Sequence, residues 1–218
     1  MIEEILLIIA AYILGSIPFG HIVTKLSTGK NIMQVGWEKT SSSNVLKHIG
    51  VWQGLLTFIL DIAKGFFAVW LARYFGTAIA VQVICGIMAV IGHNWSVFMG
   101  FKGGRGLAAL IGALLIISPK VLIISLIPCI LFTVIWTASV GTLLSFLAGI
   151  IFSFSFREYF PAGFLMLFSL IPVLIKRLSP LQDILKDTSN KDLLENRLIF
   201  DQDSVPPIRL KMKKKGGK

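Results

Sequence analysis

The sequence predicts an all-α fold, a polytopic membrane bundle of about seven transmembrane spans, and three observations carry that expectation. Of 218 residues, 55% are apolar and only 15% charged, with a mean hydropathy of +0.81; a soluble domain carries about 25% charged residues. The apolar residues gather into long runs whose centres almost exclude charge. Basic residues concentrate in alternate connections between those runs, the pattern that orients helices across a bilayer.

In chain order the apolar runs lie near 5–24, 52–73, 78–99, 106–118, 121–138, 141–156 and 160–175. A full crossing needs roughly 20 residues. The last four runs are shorter, so they are either short tilted helices or include one re-entrant pair, which leaves six spans as the alternative. Short helices fit best where protein rather than lipid surrounds them. Seven spans put Lys25, Lys30, Lys39, Lys47, Lys102, Arg105 and the residues after Ile175 on one face, and only Arg73, Lys120 and Arg157 on the other. The basic face is expected to be cytoplasmic, with the N-terminus outside and the C-terminus inside. The start, Met1-Ile2-Glu3-Glu4, is acidic, unlike the basic n-region of a signal peptide.

Composition divides the chain into a membrane-embedded unit, 1–178, and a polar, basic tail, 179–218. Much of the formal charge of +10 belongs to that tail, which ends Lys211-Met-Lys-Lys-Lys-Gly-Gly-Lys218. An anionic leaflet attracts such a run, so a lipid bilayer is the partner it requires and no nucleic acid is called for. Cys85 and Cys129 both fall inside apolar runs without metal-ligand spacing, as packing residues do.

Chemistry concentrates on the basic face. Phe101-Lys-Gly-Gly-Arg-Gly106 places two cations and three glycines between two apolar runs. Glycines let backbone N–H groups approach a bound group, and the cations choose an anion, so Lys102, Gly103, Gly104, Arg105 and Gly106 are candidate phosphate ligands. Gly92-His93-Asn94-Trp95 runs into that loop. His93 is therefore a candidate phosphate donor or proton carrier, and Trp95 an interfacial anchor. Asp61 and Lys64 lie three residues apart on one helical face within the second run. Charges at that depth face a bundle interior, either as a self-neutralising pair or with Asp61 holding Lys64 toward a ligand. The connection 25–50 is too long for a simple turn, and its Ser41-Ser42-Ser43-Asn44 either caps a local turn or serves a site.

With these residues in view, the chain resembles the bacterial acyl-phosphate-dependent glycerol-3-phosphate acyltransferases over residues 1 to about 178. Gly15-Ser-Ile-Pro-Phe-Gly20, Leu60-Asp-Ile-Ala-Lys-Gly65, Gly92-His-Asn-Trp95 and Phe101-Lys-Gly-Gly-Arg-Gly106 are similar to that family's motifs, in order and at compatible spacing. The resemblance implies seven spans and cytoplasmic active-site loops in the inner membrane of a bacterial cell. It implies transfer of an acyl group from acyl-phosphate to the 1-hydroxyl of sn-glycerol 3-phosphate, giving lysophosphatidic acid for phospholipid synthesis. No cofactor is implied, because an acyl-phosphate is already activated. The alternative is a catalytically decayed paralogue that binds lipid phosphates or partner membrane enzymes.

The likeness breaks in two places. The family's first loop resembles Gly-Ser-Gly-Asn-x-Gly-Ala-Thr-Asn, then two apolar residues and Arg. Here Val35-Gly36 and Asn44-Val45-Leu46 keep their places, but Trp37 stands for the Ser, Glu38 for a Gly, Lys39 for an Asn and Lys47 for the Arg. Asn44 and Lys47 thus inherit catalytic and phosphate-binding roles from the resemblance. Ser42, two residues before Asn44, restores a Ser-x-Asn spacing and is the candidate replacement hydroxyl. In the C-terminal motif, alignment on Arg197-Leu198 puts Lys191 and Leu194 where the family has His and Asn.

Overall fold

The computed structural model describes residues 1–179 together with 196–197; the greater part of the basic tail, with Lys191 and Leu194, lies outside the described residues. Within them the protein is helical, with a single two-residue antiparallel bridge, Ser96 to Lys102, standing outside the helices.

The first apolar run forms two helices, α1 (Ile2–Ser16) and α2 (Phe19–Thr28). Pro18 causes the break: it lacks an N–H and drives the residue before it out of the helical region, and Ile17 accordingly adopts ψ 118°. The break exposes carbonyls that a continuous helix would consume. Ser96 Oγ donates to Ser16 O at 2.5 Å, and Lys64 Nζ donates to Ile17 O at 3.0 Å.

The long connection contains a short helix, α3 (Ser42–His48), where the sequence suggests only a loop with a local turn. Ser41 caps it by accepting from Asn44 N. The second and third runs form α4 (Val51–Tyr74) and α5 (Ile79–Asn94). The remaining four are α6 (Leu107–Ile117), α7 (Pro119–Ile135), α8 (Ala138–Ser155) and α9 (Phe160–Leu178). Ser118 and Thr137 cap α7 and α8 through Val121 N and Val140 N, and Pro119 opens α7 where its missing donor costs nothing.

Among the described residues, four segments can cross a membrane by length and composition: Ile2–Thr28, Val51–Tyr74, Ala138–Ser155 and Arg157–Leu178. Three shorter apolar helices complete the set, Ile79–Asn94, Leu107–Ile117 and Pro119–Ile135. At 1.5 Å per residue, α6 with its 11 residues rises only about 17 Å. It sits where a short helix is tolerated, with Ala108, Ala109, Leu110, Ala113 and Leu114 buried.

Small residues permit that burial. A Cβ on Gly65 would strike Ala109 O, and one on Gly112 would strike Ile62 O, so α4 and α6 meet backbone to backbone. The core between α5, α6, α8 and α9 contains Val90, Leu110, Leu114, Phe146, Leu165 and Met166. On α7, Ile123, Ile127, Ile130 and Val134 form an outward apolar stripe, the surface of a helix solvated by lipid tails.

Candidate active site

Loop 29–41 and α3 are held together by Asn44. Its Oδ1 accepts from Trp37 N at 2.9 Å, while Nδ2 donates to Val35 O at 3.1 Å and Lys39 O at 2.9 Å. The side chain is buried, so Asn44 shapes the loop that carries Lys39 and fixes it to α3, which begins at Ser42, and does not itself line the cavity. Glu38, at the family's glycine position, has φ 54°, the left-handed conformation that favours glycine. The backbone therefore keeps the turn although the residue type has changed. Trp37 packs edge-on against His48, with ring centroids 5.4 Å apart, and Lys47 Nζ lies 4.8 Å from the Trp37 ring centroid.

The glycine-basic loop folds back on the end of α5. Gly104 N donates to His93 O at 3.1 Å, and a Cβ on Gly104 would collide with His93 Nε2. Gly103 lies as closely against the carbonyls of His93 and Asn94. Both glycines are needed for this approach. Gly106, at φ 77°, turns the chain into α6. The ring of His93 faces α4: its Nδ1 is 3.5 Å from Asp61 Oδ1, and Lys64 Nζ is 2.8 Å from the same oxygen. With 1% and 4% exposure, Asp61 and Lys64 are interior, as their spacing predicts. Lys64 spends its charge on Asp61 and the Ile17 carbonyl. Asp61 thus couples the Pro18 kink, through Lys64, to the histidine behind the glycine loop.

These elements enclose a cavity of about 380 Å³. Of the residues singled out from sequence, Ser42, Asp61, His93, Arg105 and Gly106 line it. Lys64, Gly103 and Gly104 support that wall from behind. Lys47 and Lys102 are solvent-exposed and do not line the cavity; Lys47 is drawn to the Trp37 ring, and the backbone of Lys102 is tied to Ser96. Among the lining residues that sequence reading did not propose for the site are Trp37, Lys39, Thr137, Ser139, Thr142 and Arg177. Arg177 was legible only as a basic end to the last span, and the start of α8 carried no polar motif that would single it out. Burial pushes the Arg105 guanidinium down to about 9, and the nearby Arg177 adds to that shift.

An apolar groove adjoins the cavity, sharing Leu107 and Thr142 with it and running between α6, α7 and α8 past Leu114, Leu122 and Phe146 to Met166. A chamber lined by Lys39, Arg105 and Arg177 thus adjoins an apolar groove.

A family model described as glycerol-3-phosphate acyltransferase matches residues 5–187. The chain belongs to the glycerol-3-phosphate acyltransferase family. Glycerol-3-phosphate acyltransferase 5 of Dehalococcoides mccartyi is 32% identical over 207 residues, covering 91% of this chain and 88% of that protein. The glycerol-3-phosphate acyltransferase of Prochlorococcus marinus (strain MIT 9215) is 40% identical over 123 residues, 56% of this chain and 62% of that one. Among solved structures, the glycerol 3-phosphate form of PlsY (YgiH), an integral membrane glycerol 3-phosphate acyltransferase, superposes with a TM-score of 0.72 at 30% identity. That match covers 84% of this chain and 92% of PlsY. Its lysophosphatidic acid form gives 0.70 at 28% identity. The protein is accordingly an acyltransferase-family membrane protein, in keeping with the sequence motifs. Arg197, on which the sequence aligns the C-terminal motif, lies beyond the matched residues; it is buried and donates to Leu178 O at 3.0 Å.

Proposed function

We propose that this protein transfers a fatty acyl group from an acyl-phosphate to the 1-hydroxyl of sn-glycerol 3-phosphate. The products are lysophosphatidic acid and inorganic phosphate. The observation that carries this reading is the junction of the cationic cavity with the apolar groove at Leu107 and Thr142. A tailed, activated donor needs both halves, and the acceptor needs the polar half alone.

The hydroxyl oxygen of the acceptor attacks the acyl carbonyl at that junction, a C–O bond forms, and the bond to the phosphate oxygen breaks. Asp61 beside Nδ1 of His93 favours the tautomer that leaves Nε2 to accept the hydroxyl proton. The departing phosphate takes that proton in turn. Arg105 and the amides around Gly106 stabilise the negative charge, and confinement of both substrates supplies proximity. Gly103, Gly104 and Lys64 hold the wall, while Ser42 stands at the cavity as the hydroxyl nearest in role to the family's serine. Lys102, on the exposed side of its loop, supplies long-range attraction to phosphates. The active-site face is cytoplasmic, in the inner membrane of a bacterial cell, and the reaction uses no cofactor.

A second reading, a phosphate-binding paralogue without catalysis, is favoured by the indole of Trp37 at the position of the family's hydroxyl. Assay of the purified protein with acyl-phosphate and labelled glycerol 3-phosphate, beside Ser42→Ala and the pair Trp37→Ser with Glu38→Gly, separates the two. Transfer by the natural protein supports the first reading, and its loss in Ser42→Ala assigns the hydroxyl. Transfer in the restored pair alone establishes the second.

A further inference from the structure

The connection between α5 and α6 has two sides. On the inner side Gly103 and Gly104 lie against His93, while Val97, Phe98 and Phe101 form an exposed apolar tip on the other. Phe98 is 58% exposed and Phe101 61%. The tip that carries them is held firmly. Phe101 N donates to Ser96 O at 2.8 Å and Lys102 N to Met99 O at 3.2 Å, and Ser96 and Lys102 form the antiparallel bridge. Phe101 itself has φ 61°, a left-handed conformation that disfavours any residue with a Cβ. The turn thus keeps an aromatic ring outside where a glycine would sit without strain.

The surfaces that converge on this tip identify what covers it. Tyr12 Oη donates to Trp95 O at 2.8 Å, which fastens the base of the tip to the end of α1. On that helix Ile5, Ile9 and Ile13, four residues apart, make one exposed apolar stripe. Lys176 Nζ lies 5.4 Å from the Trp95 ring centroid, which brings in the end of α9, where Phe168, Ile171 and Ile175 are likewise exposed. Both helices belong to segments long enough to cross a membrane, so both stripes face hydrocarbon. The tip continues them at the end where apolar side chains give way to cations: exposed Lys102 adjoins Phe101, and Lys176 flanks Trp95. Rings on the apolar side with ammonium groups at the polar edge match the boundary between acyl chains and anionic headgroups.

We propose that Val97, Phe98 and Phe101 insert into the leaflet on the active-site side, with Lys102 and Lys176 at its anionic headgroups. Gly103 and Gly104 follow directly, so the glycine loop is held at the depth of the lipid phosphates. This contact goes beyond the acyl-transfer reading and does not depend on it.

A nitroxide at the tip tests the insertion. It is attached at Phe98→Cys in the full-length protein with Cys85→Ala and Cys129→Ala, one copy per nanodisc, in phosphatidylcholine with or without phosphatidylglycerol. Ile9→Cys in the same background supplies the lipid-facing reference and Lys30→Cys the aqueous one. Oxygen, which concentrates in hydrocarbon, is expected to relax the Phe98 label severalfold more than a water-soluble nickel chelate does, as at Ile9 and unlike Lys30. Phosphatidylglycerol is expected to lower nickel access further, and Lys102→Gln with Lys176→Gln to abolish that response. Nickel access matching the Lys30 label overturns the insertion. So does low access to both reagents, which means that protein rather than lipid covers the tip. A label that ignores phosphatidylglycerol overturns the headgroup contact. Should the cysteine-free background fail to fold, Phe98→Trp in the natural chain decides in the same sense: brominated acyl chains are expected to quench the added emission, and unquenched emission overturns the proposal. A protein whose tip inserts yet which transfers no acyl group overturns the proposed reaction and leaves this contact standing.

Discussion

Asp61 Oδ1 lies 3.5 Å from His93 Nδ1 and 2.8 Å from Lys64 Nζ, so one carboxylate oxygen on α4 serves both a lysine and the histidine that backs the glycine loop on α5. Removing one partner from a buried charged group leaves the other uncompensated, at a cost of about 3 kcal/mol or more. Asp61→Asn is therefore expected to destabilise the protein by that amount in detergent unfolding. Lys64→Met added to it should recover a large part, because the stranded ammonium is gone. A double variant no more stable than Asp61→Asn would contradict the pairing.

Gly104 has no room for a side chain, since its Cβ would occupy the space of His93 Nε2. Gly104→Ala should displace either the imidazole or the loop. A shift of about 1 Å in a catalytic group costs on the order of a hundredfold in rate, and kcat/KM for acyl transfer is expected to fall by that order. The neighbouring Gly100 meets nothing within 4 Å but has φ 59°. Gly100→Asn, which tolerates that conformation, should retain activity within a fewfold margin.

Arg105 and Lys102 share a loop but not a location. Arg105→Ala is expected to weaken phosphate-bearing ligands by about tenfold or more, with little dependence on salt because the site is buried. Lys102→Ala should produce a smaller loss that vanishes at high ionic strength, as for an exposed charge acting at a distance. Titration of glycerol 3-phosphate at low and high salt distinguishes the two. Equal, salt-independent losses would place Lys102 in the cavity.

Glu38 adopts a left-handed conformation at φ 54°. Glycine reaches that region without the roughly 1–2 kcal/mol that other residues spend. Glu38→Gly should thus be more stable than Glu38→Ala by about 1 kcal/mol, read as a higher unfolding temperature. The reverse order would show that this turn is unstrained.

The apolar runs determined the helices, because hydrocarbon admits only segments that satisfy their own backbone hydrogen bonds. The Asp61–Lys64 pair on one helical face and the nearness of His93 to the glycine loop were likewise legible, whereas the break at Pro18, inside a run that reads as one span, was not. The family motifs identified the kind of protein for the same reason, since each is a local pattern. Tertiary structure alone decided the cavity. Its walls come from loop 29–41, α3, α4, the end of α5, the glycine-basic loop, the start of α6, the start of α8 and the end of α9, and no periodicity within one run announces a meeting of eight. Arg177 reads in sequence as a topological charge, and only the packing of α9 beside α8 and the glycine loop puts it at the site. Lys47 shows the converse. Its position in the motif promised a phosphate ligand, but a nearby indole draws the ammonium, because a cation–π contact between α3 and the adjoining loop needs no reach across the cavity.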